Sequence, residues 1–282
     1  MRSLELANGA SIPTLGLGTW RMGESRARRT AEVAAVRAAI EIGYRLFDSA
    51  EMYGEGGAEE VLGQALGEAL RAGDVQRDEL FIVSKVYPHN ASRRGTPAAC
   101  ARSRKRLGLD RIDLYLLHWR GQYAPAETAL AMQALAAAGH VTQWGVSNFD
   151  LADMKELQAA VPGCASNQVY FSLSQRGPEF SLLPWMREHA MPLMAYSPID
   201  QGSLAQHAAL ATIAAPLGLT AAQLALAWVL AQPGVLAIPK AVKREHLRDN
   251  FAAAQVSLPV QTLQRLDGLF PPPQRKTALA MT

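Results

Sequence analysis

The chain has 282 residues, of which 49% are hydrophobic and 19% are charged, and its formal net charge is +3. Such a length suits one α/β barrel or two ordinary domains, and so small a charge argues for neither a nucleic-acid nor a membrane partner. Two distant cysteines, Cys100 and Cys164, and no apolar run of about 20 residues exclude a disulfide framework, a cysteine zinc site and a membrane span, so we expect a cytoplasmic protein without metal.

The first predicted element is a β-hairpin, because Asn8-Gly9 lies between two short apolar segments. A buried strand is predicted next, at residues 15–20. Its Gly16-x-Gly18 pattern is similar to a dinucleotide fingerprint, but Arg21 follows and no helix begins at once. We therefore reject a Rossmann loop at this position.

Strands and helices then alternate along the rest of the chain. Further strands are predicted at 46–48, 80–85, 112–118, 141–146, 165–171, 192–196 and 235–238. Helices are predicted at 33–43, 61–70, 96–107, 125–138, 151–159, 182–189, 207–215, 220–230 and from 244 onward. Apolar strands that are each followed by a helix indicate a parallel sheet covered by helices. About eight such units predict a single (β/α)8 TIM barrel of the α/β class over residues 1–282, with an N-terminal β-hairpin and a short C-terminal tail; an open doubly wound sheet is the alternative.

A basic run occupies residues 102–106 within one of the predicted helices. Aromatic residues, which an RNA-binding surface would interleave with the basic ones, do not occur in it. The run is therefore interpreted as a solvated helix face, and no nucleic-acid partner is expected.

Polar residues end most of the predicted strands. They are Asp48, Lys85, His118, Ser147, Asn148, Gln168, Tyr196 and Lys240. In a (β/α)8 barrel the active site lies at the carboxyl ends of the strands, so these side chains are expected to face one mouth. Each alone has another interpretation: Asp48 could cap a helix, Lys85 could be a solvated loop lysine, and His118 a hydrogen-bonded core histidine. Together they are harder to explain in that way.

The chemistry that these residues suggest is proton transfer, with Tyr53 as the donor. A tyrosine has a pKa of about 10 and is a weak acid at neutral pH. The ammonium of Lys85 is expected to lower that pKa, with Asp48 as its counter-charge. His118 would then orient a substrate oxygen towards the phenol. Such an acid is useful where negative charge develops on a carbonyl oxygen during hydride addition.

Asp48, Tyr53, Lys85 and His118, in that order, resemble the catalytic tetrad of the aldo-keto reductase superfamily. Further matching segments are 43–45, 116–119, 145–149, 195–198 and 238–240. The resemblance covers essentially the whole chain and is greatest to shorter bacterial members, some of which are associated with reduction of methylglyoxal and similar small aldehydes. It implies a monomeric, NADPH-dependent reductase of small carbonyl compounds, with Tyr53 as general acid.

The resemblance also implies a set of cofactor contacts. Ser147, Asn148 and Gln168 would bind the nicotinamide carboxamide, and Tyr196 would stack on the ring. The remaining implied contacts are the pyrophosphate with Ser197, Gly202, Ser203 and Leu204, the 2′-phosphate with Lys240, and the adenine with Asn250.

The charge pattern at the start of the last barrel helix agrees with a phosphate there. Lys240, Lys243, Arg244 and Arg248 form a basic cluster, and a helix N-terminus itself favours phosphate. This favours NADPH over NADH, although NADH stays possible. Ala241 and His246 depart from the family pattern, which leaves open a weaker preference or one carried by Lys243 and Arg248.

The substrate pocket is expected to have aromatic walls formed by Trp20, Tyr87, His118 and Trp119, which suit small carbonyl compounds. A short tail after Phe270 suggests an open mouth, and the loop Gly54–Gly57 is longer than is usual after the tyrosine. Two other functions are possible: a lyase with a Schiff base on Lys85, and a cofactor-binding regulatory subunit.

Overall fold

The computed structural model describes residues 2–6 and 9–281. Within these residues the strands are β1 (Ser3–Glu5), β2 (Ser11–Pro13), β3 (Gly16–Gly18), β4 (Leu46–Asp48), β5 (Phe81–Val86), β6 (Ile112–Leu117), β7 (Val141–Ser147), β8 (Asn167–Tyr170), β9 (Leu193–Tyr196) and β10 (Val235–Ala237). The α-helices are α1 (Arg29–Ile42), α2 (Gly57–Ala72), α3 (Gly95–Leu107), α4 (Pro125–Ala137), α5 (Leu151–Ala160), α6 (Leu182–Glu188), α7 (Ala208–Ala214), α8 (Ala221–Ala231), α9 (Arg244–Ala253) and α10 (Val260–Leu269).

Strands β3 to β10 form one sheet in chain order, and every neighbouring pair is parallel. The sheet closes on itself where Leu15 forms a parallel bridge with Ala237. At the same seam the amide of Ala237 donates to the carbonyl of Thr14 at 2.9 Å. The prediction of a (β/α)8 barrel is therefore confirmed, and the open-sheet alternative is wrong.

The core has two layers because each strand presents side chains alternately to the inside and the outside of the barrel. The inner layer includes Leu46, Val83, Leu114 and Met194. The outer layer lies between the sheet and the helices, where strand residues such as Phe47 meet apolar faces of the helices. This arrangement covers both faces of the sheet, as an all-parallel sheet requires.

The N-terminal hairpin pairs β1 with β2, in the register Leu4 opposite Ile12. Leu6 and Ile12 pack into the inner layer against Leu46, which begins β4. The hairpin therefore covers the amino-terminal ends of the strands and leaves the opposite end open. Asn8 of the predicted turn lies outside the described residues.

Several parts of the chain differ from the prediction. The first barrel strand is β3 alone, shorter than the predicted 15–20, because the chain turns soon after Gly18, where the amide of Met22 donates to the carbonyl of Thr19 at 2.9 Å. Helix α10 was not predicted, since its apolar residues cover only one narrow face. Helices α1 and α2 each begin four residues before the predicted helix. Elsewhere the bounds agree to within about two residues, which is the usual uncertainty of element ends.

In the part of the chain that is described, no single helix is long and apolar enough to cross a membrane. The helical segments Ala208–Leu217 and Ala221–Ala231 pass that test only as a pair, bent by 79°. Most of α8 is buried in the core of the protein.

Candidate active site

A cavity of about 520 Å³ opens at the carboxyl-terminal ends of the barrel strands. Parallel strands bring their ends to one rim, so side chains from distant parts of the chain meet there. The predicted residues that line the cavity are Trp20, Asp48, Tyr53, His118, Trp119, Ser147, Asn148, Gln168, Tyr196, Ser197, Gly202 and Lys240. The sequence pattern thus located the mouth of the barrel.

Lys85 connects three groups at the floor of this cavity. Its side chain is fully buried, and Nζ donates to Oδ2 of Asp48 at 2.7 Å and to the carbonyl oxygen of Ser49 at 2.7 Å. Nζ also lies 3.3 Å from the hydroxyl oxygen of Tyr53, to which it donates. The ammonium therefore has an acceptor for each of its three protons.

Burial shifts the pKa values of Lys85 and Asp48 in opposite directions. It lowers the pKa of Lys85, while attraction to Asp48 acts against the change. It raises the pKa of Asp48, while Lys85 and the amide of Gln168 act against the change. Each charge is thus supported mainly by its partner in a water-poor site.

The phenol of Tyr53 differs from the expectation. Burial, and after it the negative charge of Asp48, raises the pKa of Tyr53 well above 10. The expected lowering by Lys85 is therefore wrong for this structure, because the lysine charge is already balanced by Asp48 at 2.7 Å. The phenol keeps its proton at neutral pH, which is the form that a proton donor needs.

His118 faces Tyr53 across the cavity, with ring centroids 5.5 Å apart and the rings at 73°. Burial, followed by the positive charge of Lys85, holds the pKa of His118 well below 6.5. Among the described residues, Nδ1 of His118 has no hydrogen-bond partner. Nδ1 is itself buried, so it is the neutral ring edge lining the cavity that can bind the oxygen of a small molecule.

A second set of polar side chains, Ser147, Asn148 and Tyr196, lines the cavity beside Asp48, Tyr53 and His118. Ser147 donates to the carbonyl of Gln168 at 2.8 Å, and Asn148 donates to the carbonyl of His118 at 3.1 Å. The hydroxyl of Tyr196 donates to Oδ1 of Asn148 at 2.9 Å. These bonds fix one hydroxyl, one side-chain amide and one aromatic ring on the cavity wall.

The chain after β9 runs along the cavity in an unusual conformation. Ser197, Asp200, Gln201 and Gly202 all have positive φ angles, of 49°, 50°, 53° and 98°. Asp200 accepts hydrogen bonds from Tyr170 and from Ser203, the latter at 2.6 Å. Non-glycine residues rarely adopt such angles, and they persist only where surrounding contacts fix them.

Comparison with known proteins gives the family. A family model described as "Aldo/keto reductase family" matches residues 14–270. The chain belongs to the aldo/keto reductase family. It is 46% identical to the methylglyoxal reductase YeaE of Escherichia coli strain K12, covering 99% of both chains. It is 33% identical to the glyoxal reductase of Bacillus subtilis strain 168, covering 95% of this chain and 92% of the relative.

Solved structures agree with this family membership. A crystal structure of an aldo-keto reductase from Klebsiella pneumoniae in complex with NADPH is 47% identical. It has a TM-score of 0.93 and the match covers 100% of this chain and 99% of that one.

Several predicted cofactor and pocket residues do not line the cavity of this aldo/keto reductase. They are Tyr87, Ser203, Leu204, Lys243, Arg248 and Asn250. Tyr87 packs edge-on behind Trp119, with centroids 5.2 Å apart, while Leu204 and Asn250 are buried. Arg244 of the basic cluster pairs instead with Glu41 at 2.8 Å. The contacts assigned to these residues stay predictions.

The C-terminal tail reaches the mouth of the barrel, which the sequence did not indicate. Lys276 pairs with Asp150 at 2.9 Å, and the carbonyl of Ala280 accepts from Tyr196 at 3.5 Å. Met281 lines the cavity. The tail is therefore fixed at several points along its path and forms part of the rim, while the expectation of an open mouth stays a prediction.

Other cavity residues were also missed by the sequence analysis, Arg21 and Met52 among them. Arg21, with φ 63°, lies over the ring of Trp20 at 4.4 Å, and Met52 precedes the phenol. Their position next to Trp20 and Tyr53 was the one available signal, and it is weak because neighbours in sequence often face apart.

The glycine-rich loop after Tyr53 is explained by close contacts. Gly54, Glu55 and Gly56 have φ angles of 55°, 54° and 94°. A Cβ atom on Gly23 would lie 2.1 Å from the backbone of Gly57, so the two segments touch through glycine alone. The extra loop residues thus pack against the chain that follows β3.

Proposed function

We propose that this aldo/keto reductase reduces small aldehydes, ketones or α-dicarbonyls to alcohols with NADPH, and that Tyr53 is the general acid. One observation carries the proposal: the hydroxyl of the half-buried Tyr53 lies 3.3 Å from the Lys85 ammonium in a cavity lined by His118. The names of the methylglyoxal and glyoxal reductases support the substrate class. A monomeric state and a cytoplasmic location stay predictions from the sequence.

Each residue of the tetrad would have a separate role in proton transfer. Tyr53 would give its proton to the carbonyl oxygen, since its raised pKa keeps the phenol protonated at neutral pH. Lys85 would donate to the phenolate oxygen that remains, and Asp48 would balance the lysine charge. His118, neutral and facing Tyr53, would hold the carbonyl oxygen in position.

The cavity wall fits a nicotinamide dinucleotide. Bound NADPH would supply the hydride. The amides of Asn148 and Gln168 offer donors and acceptors for a carboxamide, and Tyr196 offers an aromatic face. Lys240 lies on the wall with an exposed side chain and forms no ion pair within the described chain, which suits a phosphate. The NADPH complex of the Klebsiella relative supports the same cofactor.

The Schiff-base alternative is less well supported by the geometry. A nucleophilic lysine must present a free lone pair to substrate, whereas Nζ of Lys85 is fully buried and bonded to three oxygen atoms. A purely regulatory role has no observation in its favour.

The proposal is tested by NADPH oxidation with a panel of methylglyoxal, simple aldehydes and ketones. Tyr53→Phe is expected to lower kcat by about 10²- to 10⁴-fold, while NADPH still quenches the protein fluorescence. The control is Tyr87→Phe, which removes a hydroxyl from a tyrosine behind Trp119 and should retain activity. Near-normal turnover by Tyr53→Phe would show that another group is the acid.

A further inference from the structure

A buried ion pair lies behind the active site, on the outer side of the barrel. Glu59, in the first turn of α2, is fully buried. Its Oε1 accepts from the hydroxyl of Ser84 at 2.5 Å, and its Oε2 accepts from Nη1 of Arg106 at 2.9 Å. A carboxylate without exposure is costly unless it is paired and hydrogen-bonded, as it is here.

Glu59 is bonded to the residue that precedes Lys85 on strand β5. Ser84 and Lys85 are neighbours on β5, so Ser84 faces the helices and Lys85 faces the barrel interior. The bond to Ser84 therefore holds Glu59 against the back of the strand that carries Lys85. The negative charge of Glu59 acts to raise the pKa of Lys85, together with Asp48 and against burial.

The same ion pair contacts the loop that carries Tyr53. This loop ends at Gly56, where a Cβ atom would lie 2.4 Å from Nε of Arg106. The guanidinium thus packs directly on the Gly56 backbone while it bonds to Glu59, two residues into α2. One carboxylate is therefore linked to both halves of the proton-donating pair.

We propose that Glu59 is a positioning residue for Tyr53 and Lys85. From behind β5 it supplies a second negative charge to the Lys85 ammonium, and through Arg106 it fixes the end of the Tyr53 loop. The inference rests on the proposed function, because it assumes that Tyr53 and Lys85 act as a proton-donating pair.

The charges around this pair come from several elements. Lys85 is faced by Asp48 of β4, by Tyr53, by His118 after β6 and by Glu59. Glu59 in turn is near Arg106, Cys100 and Tyr115. The alkaline limb of a pH profile therefore belongs to the coupled Lys85–Tyr53 pair as a whole.

The test is Glu59→Gln, which keeps the shape of the side chain and removes the charge. The alkaline limb of kcat/KM for carbonyl reduction is expected to move down by about half a unit to one unit of pH. The Kd of NADPH should not change. The ¹³Cε resonance of Lys85, assigned by its loss in Lys85→Met, should titrate at a correspondingly lower pH, and this readout needs no turnover.

Two matched variants separate positioning from simple stability. Asp113→Asn neutralises another buried carboxylate, paired with Arg77 at 2.8 Å and bonded to the amide of Ile82 on β5. It should lower Tm without moving the alkaline limb. Glu59→Asp keeps the charge and should leave the limb near the wild-type pH even if Tm falls.

The outcomes distinguish this inference from the proposed function. A wild-type protein without carbonyl reduction, or an active Tyr53→Phe, contradicts the proposed function. An unmoved limb and an unmoved Lys85 titration in Glu59→Gln, or an equal shift in Asp113→Asn, overturn only the role of Glu59. If Glu59→Gln does not fold, Ser84→Ala is measured instead; it should lower kcat several-fold with an unchanged NADPH Kd, and wild-type kcat would overturn the inference.

Discussion

The side-chain amide of Gln168 donates a hydrogen bond to Oδ1 of Asp48 at 2.8 Å, although 120 residues separate the two in sequence. The other carboxylate oxygen, Oδ2, accepts from Lys85. Asp48 therefore joins a residue proposed to hold the nicotinamide to the pair proposed to deliver the proton. Cofactor binding and proton transfer should be coupled through this one carboxylate.

Gln168→Leu is expected to weaken NADPH binding and to lower kcat. The Kd of NADPH should rise about tenfold, which corresponds to the loss of roughly one hydrogen bond to the neutral carboxamide. The kcat should also fall, because Asp48 loses a donor that supports its charge. Ser166→Ala, which removes a buried hydroxyl bonded to Pro192 at 2.8 Å, is the control and should change neither constant. A normal kcat in Gln168→Leu would contradict the coupling.

The pH dependence of reduction follows from the shifted pKa values of Tyr53 and His118. Since the pKa of Tyr53 is raised, the phenol is protonated below that pKa and its activity is lost only at high pH. Since the pKa of His118 lies well below 6.5, the imidazole stays neutral above it. The kcat for reduction should therefore be level from about pH 6 to about pH 8. An inflection near pH 6.5 in the wild type would mean that His118 titrates in the working range.

Lys240 should determine the preference between the two nicotinamide cofactors. Lys240→Ala is expected to raise the Kd of NADPH by about tenfold or more while that of NADH stays nearly constant, because only NADPH carries a 2′-phosphate. Fluorescence titration with both cofactors measures this. Lys155→Ala is the matched control, since Lys155 is exposed on α5 and does not line the cavity. Equal weakening of both cofactors by Lys240→Ala would exclude a phosphate contact.

Gly56→Ala should destabilise the protein more than Gly73→Ala. Both have positive φ angles, 94° and 75°, so alanine costs about 1–2 kcal/mol of unfolding free energy at either. Only at Gly56 does the added Cβ meet another group, Arg106 at 2.4 Å, whereas Gly73 has no described atom within 4 Å. Denaturant unfolding should show a larger loss for Gly56→Ala, and only this variant should lower kcat. Equal behaviour of the two variants would contradict the tight contact at Gly56.

The barrel and the rim residues could be predicted because their signals are local. Each strand is a short apolar run, and the residue that ends it, such as Asp48 or Lys85, is adjacent in sequence to the pattern that identifies it. Because the parallel strands of a barrel end at the same rim, the residues that end them meet in one site. No knowledge of the packing was needed.

Other features depend on contacts between distant segments and could not be predicted. The link from Glu59 to Ser84 and Arg106 requires the packing of α2 and α3 on β5. The raised pKa of Tyr53 depends on how deeply the phenol is buried, which a spacing does not reveal. The path of the tail to Tyr196 likewise has no local pattern.

The position of Met281 at the rim has a practical consequence for protein production. An affinity tag attached shortly after Met281 would lie near the rim of the cavity and would crowd it or displace the tail. A tag attached shortly before β1 would lie near the hairpin, at the opposite end of the barrel. Kinetic constants should therefore be compared on N-terminally tagged or tag-free protein, and a raised KM in a C-terminal fusion should be attributed first to the tag.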